Sequence, residues 1–218
     1  MKMDELRRCM HDLPLVAILR GITPEEAPAA LETLSTAGFR IVEVPLNSPR
    51  PFDSIAGMVK RAGTGMLIGA GTVLDVAQVK EVAAAGGRLI VAPNCDPAVI
   101  RAAKQLGLAA LPGVATPSEA FAALAAGADG LKMFPGESLP PAAVKAWNAV
   151  LPAGTLLLPV GGITPDNMAE YLAAGAAGFG IGSALYKPGI APAALQRHAA
   201  DFVAAWRRLA ADRQARRL

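Results

Sequence analysis

The sequence predicts a single α/β domain of the (β/α)8 TIM-barrel class, with one helix before the barrel and a long one after it. Three observations carry this expectation. Eight short apolar runs recur at roughly 20 to 27 residues, the length of one strand-and-helix unit. The runs are continuously apolar, as strands buried on both faces are, rather than alternating with polar residues. The stretches between them open with helix-capping chemistry and close on glycine.

The elements follow in order. Residues 3–12 are charged and read as the leading helix, and PLVAIL from Pro14 is the first strand. ITPEEAPAALETL places Thr23 as an N-cap, a proline in the first turn and acids behind it, and stops at Gly38. FRIVEV from Phe39, MLIGAG from Met66 and RLIVAP from Arg88 are the next strands, with a helix stop at Gly86 before the last. LAALPG from Leu108 follows the stop at Gly107. Thr116 opens a second Thr-Pro helix that ends at Gly127, ahead of GLKMFP from Gly130 and TLLLPV from Thr155. Thr164 opens the third such helix, ended by Gly175, and GFGIGS from Gly178 is the eighth strand. The barrel then spans about residues 13–190 of one domain covering 1–218, and 191–213 form the closing helix. A doubly wound open sheet is the rival architecture. It usually shows fewer units and a GxGxxG after the first strand, where this chain has Leu19-Arg20-Gly21.

Composition narrows the function classes. Hydrophobic residues are 53% and charged residues 18%, which excludes a disordered chain, and the 22 glycines have no three-residue period, which excludes collagen. Cys9 and Cys95 form no CxxC and sit near no His pair, so neither a disulfide framework nor a zinc site is expected. The longest uncharged run, residues 146–165, is broken by Pro152, Gly154, Pro159, Gly161 and Gly162 and does not read as a membrane span. The N-terminus lacks the apolar core of a signal peptide, so a soluble cytoplasmic protein with no membrane partner is expected. Arg207, Arg208, Arg213, Arg216 and Arg217 make a basic C-terminus. No basic or aromatic stripe accompanies it, so a solvated helix end is expected and nucleic-acid binding is not.

In such a barrel the chemistry sits at the C-terminal ends of the strands. Those ends carry Arg20, Glu43, Thr72, Asn94, Gly113, Lys132, Gly161-Gly162 and Gly182-Ser183. Of seven lysines only Lys132 lies inside an apolar strand. Burial would favour its neutral, nucleophilic amine; the other reading is a structural lysine paired with a carboxylate. Glu43, flanked by Val42 and Val44, is the outstanding acid, either a proton-transfer group beside the amine or its counter-charge. The two glycine loops suit a phosphate, though each alone is also ordinary turn chemistry. Arg20 could clamp a carboxylate or form a rim salt bridge, Thr72 is a candidate hydroxyl donor, and Pro93-Asn94 could shape the floor. His11 and His198 fall in the flanking helices, which leaves no support for a His-based mechanism or a metal site. Cys95, near a strand end, reads as a half-buried thiol.

These residues lie in a series of motifs: Ile-Leu-Arg-Gly (18–21), Glu-Val-Pro-Leu-Asn-Ser-Pro (43–49), Gly-Ala-Gly-Thr-Val (69–73), Pro-Gly-Val-Ala-Thr-Pro-Ser-Glu (112–119), Leu-Lys-Met-Phe-Pro (131–135), Pro-Val-Gly-Gly-Ile (159–163) and Gly-Ile-Gly-Ser (180–183). In this order, over about residues 13–205, the chain resembles the KDPG/KHG aldolase family. The resemblance implies a class I aldolase that forms a Schiff base at Lys132, with Glu43 as general acid and base. Arg20 and Thr72 would hold the pyruvate carboxylate, and Gly161, Gly162, Gly182 and Ser183 would receive the phosphate; Pro93 and Asn94 join the substrate-binding candidates from their strand-end position alone. Gluconate-type members carry an Arg where this chain has Asn47; galactonate-type members instead carry an Arg ending the first strand, as Arg20 does here, and an Asn-Ser-Pro after the second, as at residues 47–49. The implied reaction cleaves 2-dehydro-3-deoxy-6-phospho-D-galactonate to pyruvate and D-glyceraldehyde 3-phosphate. The gluconate epimer and 4-hydroxy-2-oxoglutarate remain alternatives, and a non-catalytic phosphosugar-binding barrel a distant one. The protonated imine is the electron sink, so no metal and no cofactor are implied, and the family further implies a homotrimer and galactonate catabolism.

Overall fold

A computed structural model describes residues 5–63 and 65–215. Helix α1 (Glu5–Asp12) precedes strand β1 (Leu15–Ile18), and strands and helices then alternate. These are α2 (Ala27–Ala37), β2 (Ile41–Pro45), α3 (Pro51–Arg61), β3 (Leu67–Gly71), α4 (Val76–Ala84), β4 (Leu89–Val91) and α5 (Pro97–Gln105). Next come β5 (Ala109–Leu111), β6 (Gly113–Val114), α6 (Pro117–Ala125), β7 (Leu131–Met133), α7 (Pro141–Asn148) and β8 (Leu157–Pro159). The chain closes with α8 (Met168–Ala173), β9 (Phe179–Ile181) and α9 (Pro192–Ala215). All eight predicted runs are strands.

The strands do not form the one continuous eight-stranded sheet that the sequence predicts. They form a curled parallel sheet in two pieces, one of six strands in the order β5-β4-β3-β2-β1-β9 and one of three in the order β6-β7-β8. The physical reason lies in the fifth run. Pro112 has no N–H to offer its neighbour, so LAALPG splits into β5, which pairs with β4, and β6, which pairs with β7. The Pro112 carbonyl still accepts from the Lys132 amide at 2.9 Å. Between β8 and β9 the pairing shrinks to one bridge, Val160 to Gly180.

Local chemistry explains most helix limits. Thr116 and Glu119 form a complete capping box at α6. The other two Thr-Pro signals sit one turn ahead of their helices. Thr23 and Glu26 bond reciprocally before α2 begins at Ala27, and Asn167 accepts from the Thr164 amide before α8 begins at Met168. Gly38, Gly86, Gly107, Gly127 and Gly175 all take positive φ at helix ends, as the sequence predicts.

The core has two parts. The larger lies between the strands and the surrounding helices, with Phe39, Phe179 and Phe202 fully buried. The smaller fills the inside of the curl. There Val16, Ile41, Leu67, Leu89, Val91, Leu111 and Leu158 meet Leu6, Cys9 and Met10 of α1, so the leading helix plugs the N-terminal end. At the opposite end the strands close on a cavity lined by Arg20, Lys132 and the loops after β8 and β9. The His198 imidazole lies by the Leu185 carbonyl and Cys95 is half-buried. Arg207 and Arg208 are exposed on α9, while Arg216 and Arg217 lie outside the described residues. No helix among the described residues is long and apolar enough to cross a membrane.

At the plugged end Asp129 accepts from the buried Ala110 amide at 2.8 Å and from Lys104 Nζ at 2.6 Å. Removing the carboxylate strands a backbone donor. Asp129→Ala is therefore expected to lower the unfolding free energy by about 1–3 kcal/mol in urea titration. An unchanged midpoint would show that the amide is satisfied elsewhere.

Candidate active site

Two charged side chains are buried among the described residues, Glu43 at 1% exposure and Lys132 at 5%. Both project from strand interiors, Glu43 from the middle of β2 and Lys132 from the middle of β7. Burial is tolerated at Glu43 because its neighbour on β3 has no side chain. A Cβ placed on Gly71 would lie 1.7 Å from Glu43 Oε2, so glycine there is a steric requirement. Glu43 Oε2 has no hydrogen-bond partner. Its pKa is pushed up to about 7, because desolvation outweighs the opposing pull of Lys132 and Arg20.

Desolvation also lowers the Lys132 pKa; the Glu43 charge opposes this and the Arg20 charge reinforces it. Lys132 Nζ lies 4.7 Å from the centroid of the Phe134 ring. The two buried charges form no ion pair, so the reading of Lys132 as half of a salt bridge is not what the geometry shows. The amine is held toward its neutral, nucleophilic form next to a carboxyl able to carry a proton.

A cavity of about 620 Å³ opens over Lys132. Arg20 stands on its wall at the end of β1, and Gly161-Gly162 and Gly182-Ser183 line it after β8 and β9. The structure therefore brings these six predicted residues together. Gly161 and Gly162 have φ of 110° and 65°, conformations that only glycine adopts without strain, which turns their loop toward the cavity.

The remaining predicted residues sit off that cavity. Glu43 is buried beneath it and acts on Lys132 through charge. Thr72 is half-buried at the end of β3 with φ of 57°, an unusual state for a β-branched residue, fixed by the flanking bonds of Leu46 N to Gly71 O and Val73 N to Val91 O. Pro93 and Asn94 meet Gly113 through their backbone. The Asn94 carbonyl accepts from the Gly113 amide at 3.2 Å, and a Cβ on Gly113 would lie 2.3 Å from the Pro93 carbonyl.

Sequence reasoning missed several wall residues, among them Glu137, Tyr186 and Lys187. Lys187 lies four positions beyond Ser183, so extending the strand-end scan along the exit loop would have found it. Tyr186 gave no signal in the sequence. Its hydroxyl donates to Glu26 Oε2 at 3.3 Å and ties that loop to the one following β1.

Comparison with known proteins places these features in company. Residues 6–198 match the family model described as KDPG and KHG aldolase. The 2-dehydro-3-deoxy-6-phosphogalactonate aldolase of Escherichia coli (strain K12) is 49% identical over 195 residues, 89% of this chain and 95% of that protein. The solved native KDPGal structure superposes with a TM-score of 0.89 at 48% identity, covering 91% of this chain and 96% of that one. A KDPG aldolase from Legionella pneumophila, solved with pyruvate captured as a covalent carbinolamine, has a TM-score of 0.76 at 27% identity over 94% and 97% of the two chains.

Burial of Glu43 also sets a pH dependence. An unfolded Glu loses its proton near its ordinary value of 4.5, whereas Glu43 in the folded protein keeps it to about 7. Between those values Glu43 makes the folded state bind the extra proton, so its contribution to stability falls as pH rises through this window and levels off above it. Glu43→Gln is expected to remove that decline and to gain on the wild type at pH of about 8. Urea midpoints measured across the window check this, and parallel profiles for the two proteins would refute it.

Proposed function

The chain belongs to the KDPG and KHG aldolase family, and on that premise we propose that it is a class I aldolase cleaving 2-dehydro-3-deoxy-6-phospho-D-galactonate to pyruvate and D-glyceraldehyde 3-phosphate. The observation that carries the reading is the desolvated Lys132 amine beside the proton-retaining Glu43, at the base of a cavity large enough for a six-carbon phosphosugar acid. The Lys132 amine attacks the C2 ketone to give a carbinolamine, and loss of water leaves a protonated imine. Breakage of the C3–C4 bond sends its electron pair into that imine, while the C4 hydroxyl yields its proton and becomes the aldehyde. Glu43 accepts and returns protons through these steps, a role suited to a carboxyl whose pKa is about 7. The resulting enamine is protonated at C3, and hydrolysis frees pyruvate and the lysine.

Arg20 holds the carboxylate end, with Thr72, Pro93 and Asn94 shaping the strand ends around it. Gly161, Gly162, Gly182 and Ser183 receive the phosphate, where backbone amides at glycine turns suit an anion. The two parallel sheets act as one eight-stranded barrel, a closure supported by the continuity of β5 and β6 through Pro112 and by the Val160–Gly180 bridge. A cytoplasmic homotrimer serving galactonate catabolism completes the proposal, on the strength of the family resemblance.

Borohydride reduction in the presence of pyruvate, followed by peptide mass spectrometry, is expected to leave a pyruvyl adduct on Lys132. Lys132→Ala is expected to fold, to take no adduct and to lose turnover. Wild-type protein that binds pyruvate without forming an adduct would replace the aldolase with a phosphosugar-binding protein. For the stereochemistry, kcat/KM is expected to favour the galactonate epimer over the gluconate epimer by about tenfold or more, the range that a few pocket contacts supply. Equal values would mark a dual-epimer enzyme.

A further inference from the structure

The Asn-Ser-Pro turn after β2 has no part in the chemistry above, yet its two polar side chains both reach the end of β1. Arg20 donates from Nη1 to Asn47 Oδ1 at 2.7 Å. The buried Ser48 hydroxyl accepts from the Gly21 amide at 2.9 Å. On the other side Pro188 closes in, since a Cβ on Gly21 would lie 2.6 Å from Pro188 Cγ, and Gly21 itself has φ of +81°. The backbone that carries Arg20 is thus gripped from two loops and its guanidinium from one of them. Arg20 is exposed, and an exposed arginine without such contacts samples many rotamers.

We propose that Asn47 is a positioning residue that aims Arg20 at the carboxylate of pyruvate without neutralising it, with Ser48 fixing the backbone beneath. The inference rests on the Schiff-base reading above. The chemistry of the acceptor decides the point. One N–H of Nη1 is spent on the amide oxygen, which leaves the Nε–Nη2 edge of the planar fork for a two-bond grip on a carboxylate. A carboxylate at position 47 would instead pair with the guanidinium and compete with the substrate for it. It would also offset the Arg20 charge that helps to keep Lys132 neutral. An alanine there would release the side chain to solvent. Because Asn47 is exposed, either substitution leaves the core untouched.

The test compares pyruvate with methyl pyruvate, which keeps the ketone and lacks the charge. Adduct formation on Lys132 is followed by borohydride trapping across a concentration series, with Arg20→Ala as the reference for a lost clamp. In Asn47→Ala the pyruvate concentration for half-maximal trapping is expected to rise about tenfold, the usual worth of a hydrogen bond to a charged group, while methyl pyruvate is unchanged. Asn47→Asp is expected to raise the pyruvate value further, again sparing the ester. Wild-type preference for pyruvate retained in both variants would overturn the proposal, as would an equal rise for both compounds, which marks a merely structural turn. Failure of the wild-type protein to trap either compound would instead overturn the Schiff-base reading, and this inference with it.

Discussion

Loss of water around two opposite charges governs this molecule. Glu43 and Lys132 stand on strands of different sheets; both are buried without pairing to each other, and Glu43 Oε2 has no hydrogen-bond partner. The same physical cause acts on both in opposite senses: it raises the carboxyl pKa and lowers that of the amine. Both groups are thereby driven toward their neutral forms, a protonated acid next to a free amine. That is the pairing that imine chemistry consumes and regenerates. For the proposed reaction an ion pair would be the poorer arrangement, because the proton it keeps on the amine occupies the lone pair needed for attack.

The rest of the interior serves that constraint. Leucines, valines and α1 pack the inside of the curl at the N-terminal end, and the cavity over Lys132 opens at the other. Higher up, the strands turn to glycine. Gly71 makes room for the Glu43 carboxylate, and a Cβ on Gly180 would lie 2.7 Å from Val160. A side chain at Gly180 would take up space in the cavity it lines, and one at Gly71 would displace the Glu43 carboxylate. Strain collects at the same level, in the left-handed Thr72 and in the unpartnered Glu43 oxygen, each a local cost that the large outer core offsets. The division between the two ends follows because the parallel strands direct all their C-termini to one side.

Recognition at the rim faces a different problem, since Arg20, Gly162 and Ser183 are exposed. In the proposed complex Arg20 and the glycine loops would meet the two anionic ends of the substrate, which requires each to be held in place. The glycine loop achieves this through backbone conformation. Arg20 depends on neighbours: Asn47 on its guanidinium, Ser48 and Pro188 on the chain beneath it. The loops after β1, β2 and β9 are thereby stitched into one wall, with Tyr186 and Glu26 adding a further tie.

Periodicity and residue chemistry alone determined the strand-and-helix alternation, the glycine stops, the Thr116 cap and the two odd charges. Each depends on local rules: an apolar run needs two buried faces, a helix end needs left-handed backbone, and an ammonium in a strand is conspicuous anywhere. The aldolase assignment came from the order of motifs, which only a known family gives meaning. Tertiary structure decided what depends on neighbours distant in the chain. The break at Pro112 follows from which strand lacked a donor, and the delayed starts of α2 and α8 follow from how Glu26 and Asn167 bond across the first turn. Whether Glu43 would simply neutralise Lys132 could not be read from either residue, because it depends on their placement across the curl. The partnership of Asn47 with Arg20, 27 positions apart, was equally hidden. Spacing along a chain encodes local conformation, while charge burial and hydrogen-bond partners across strand ends exist only once the strands have been brought side by side.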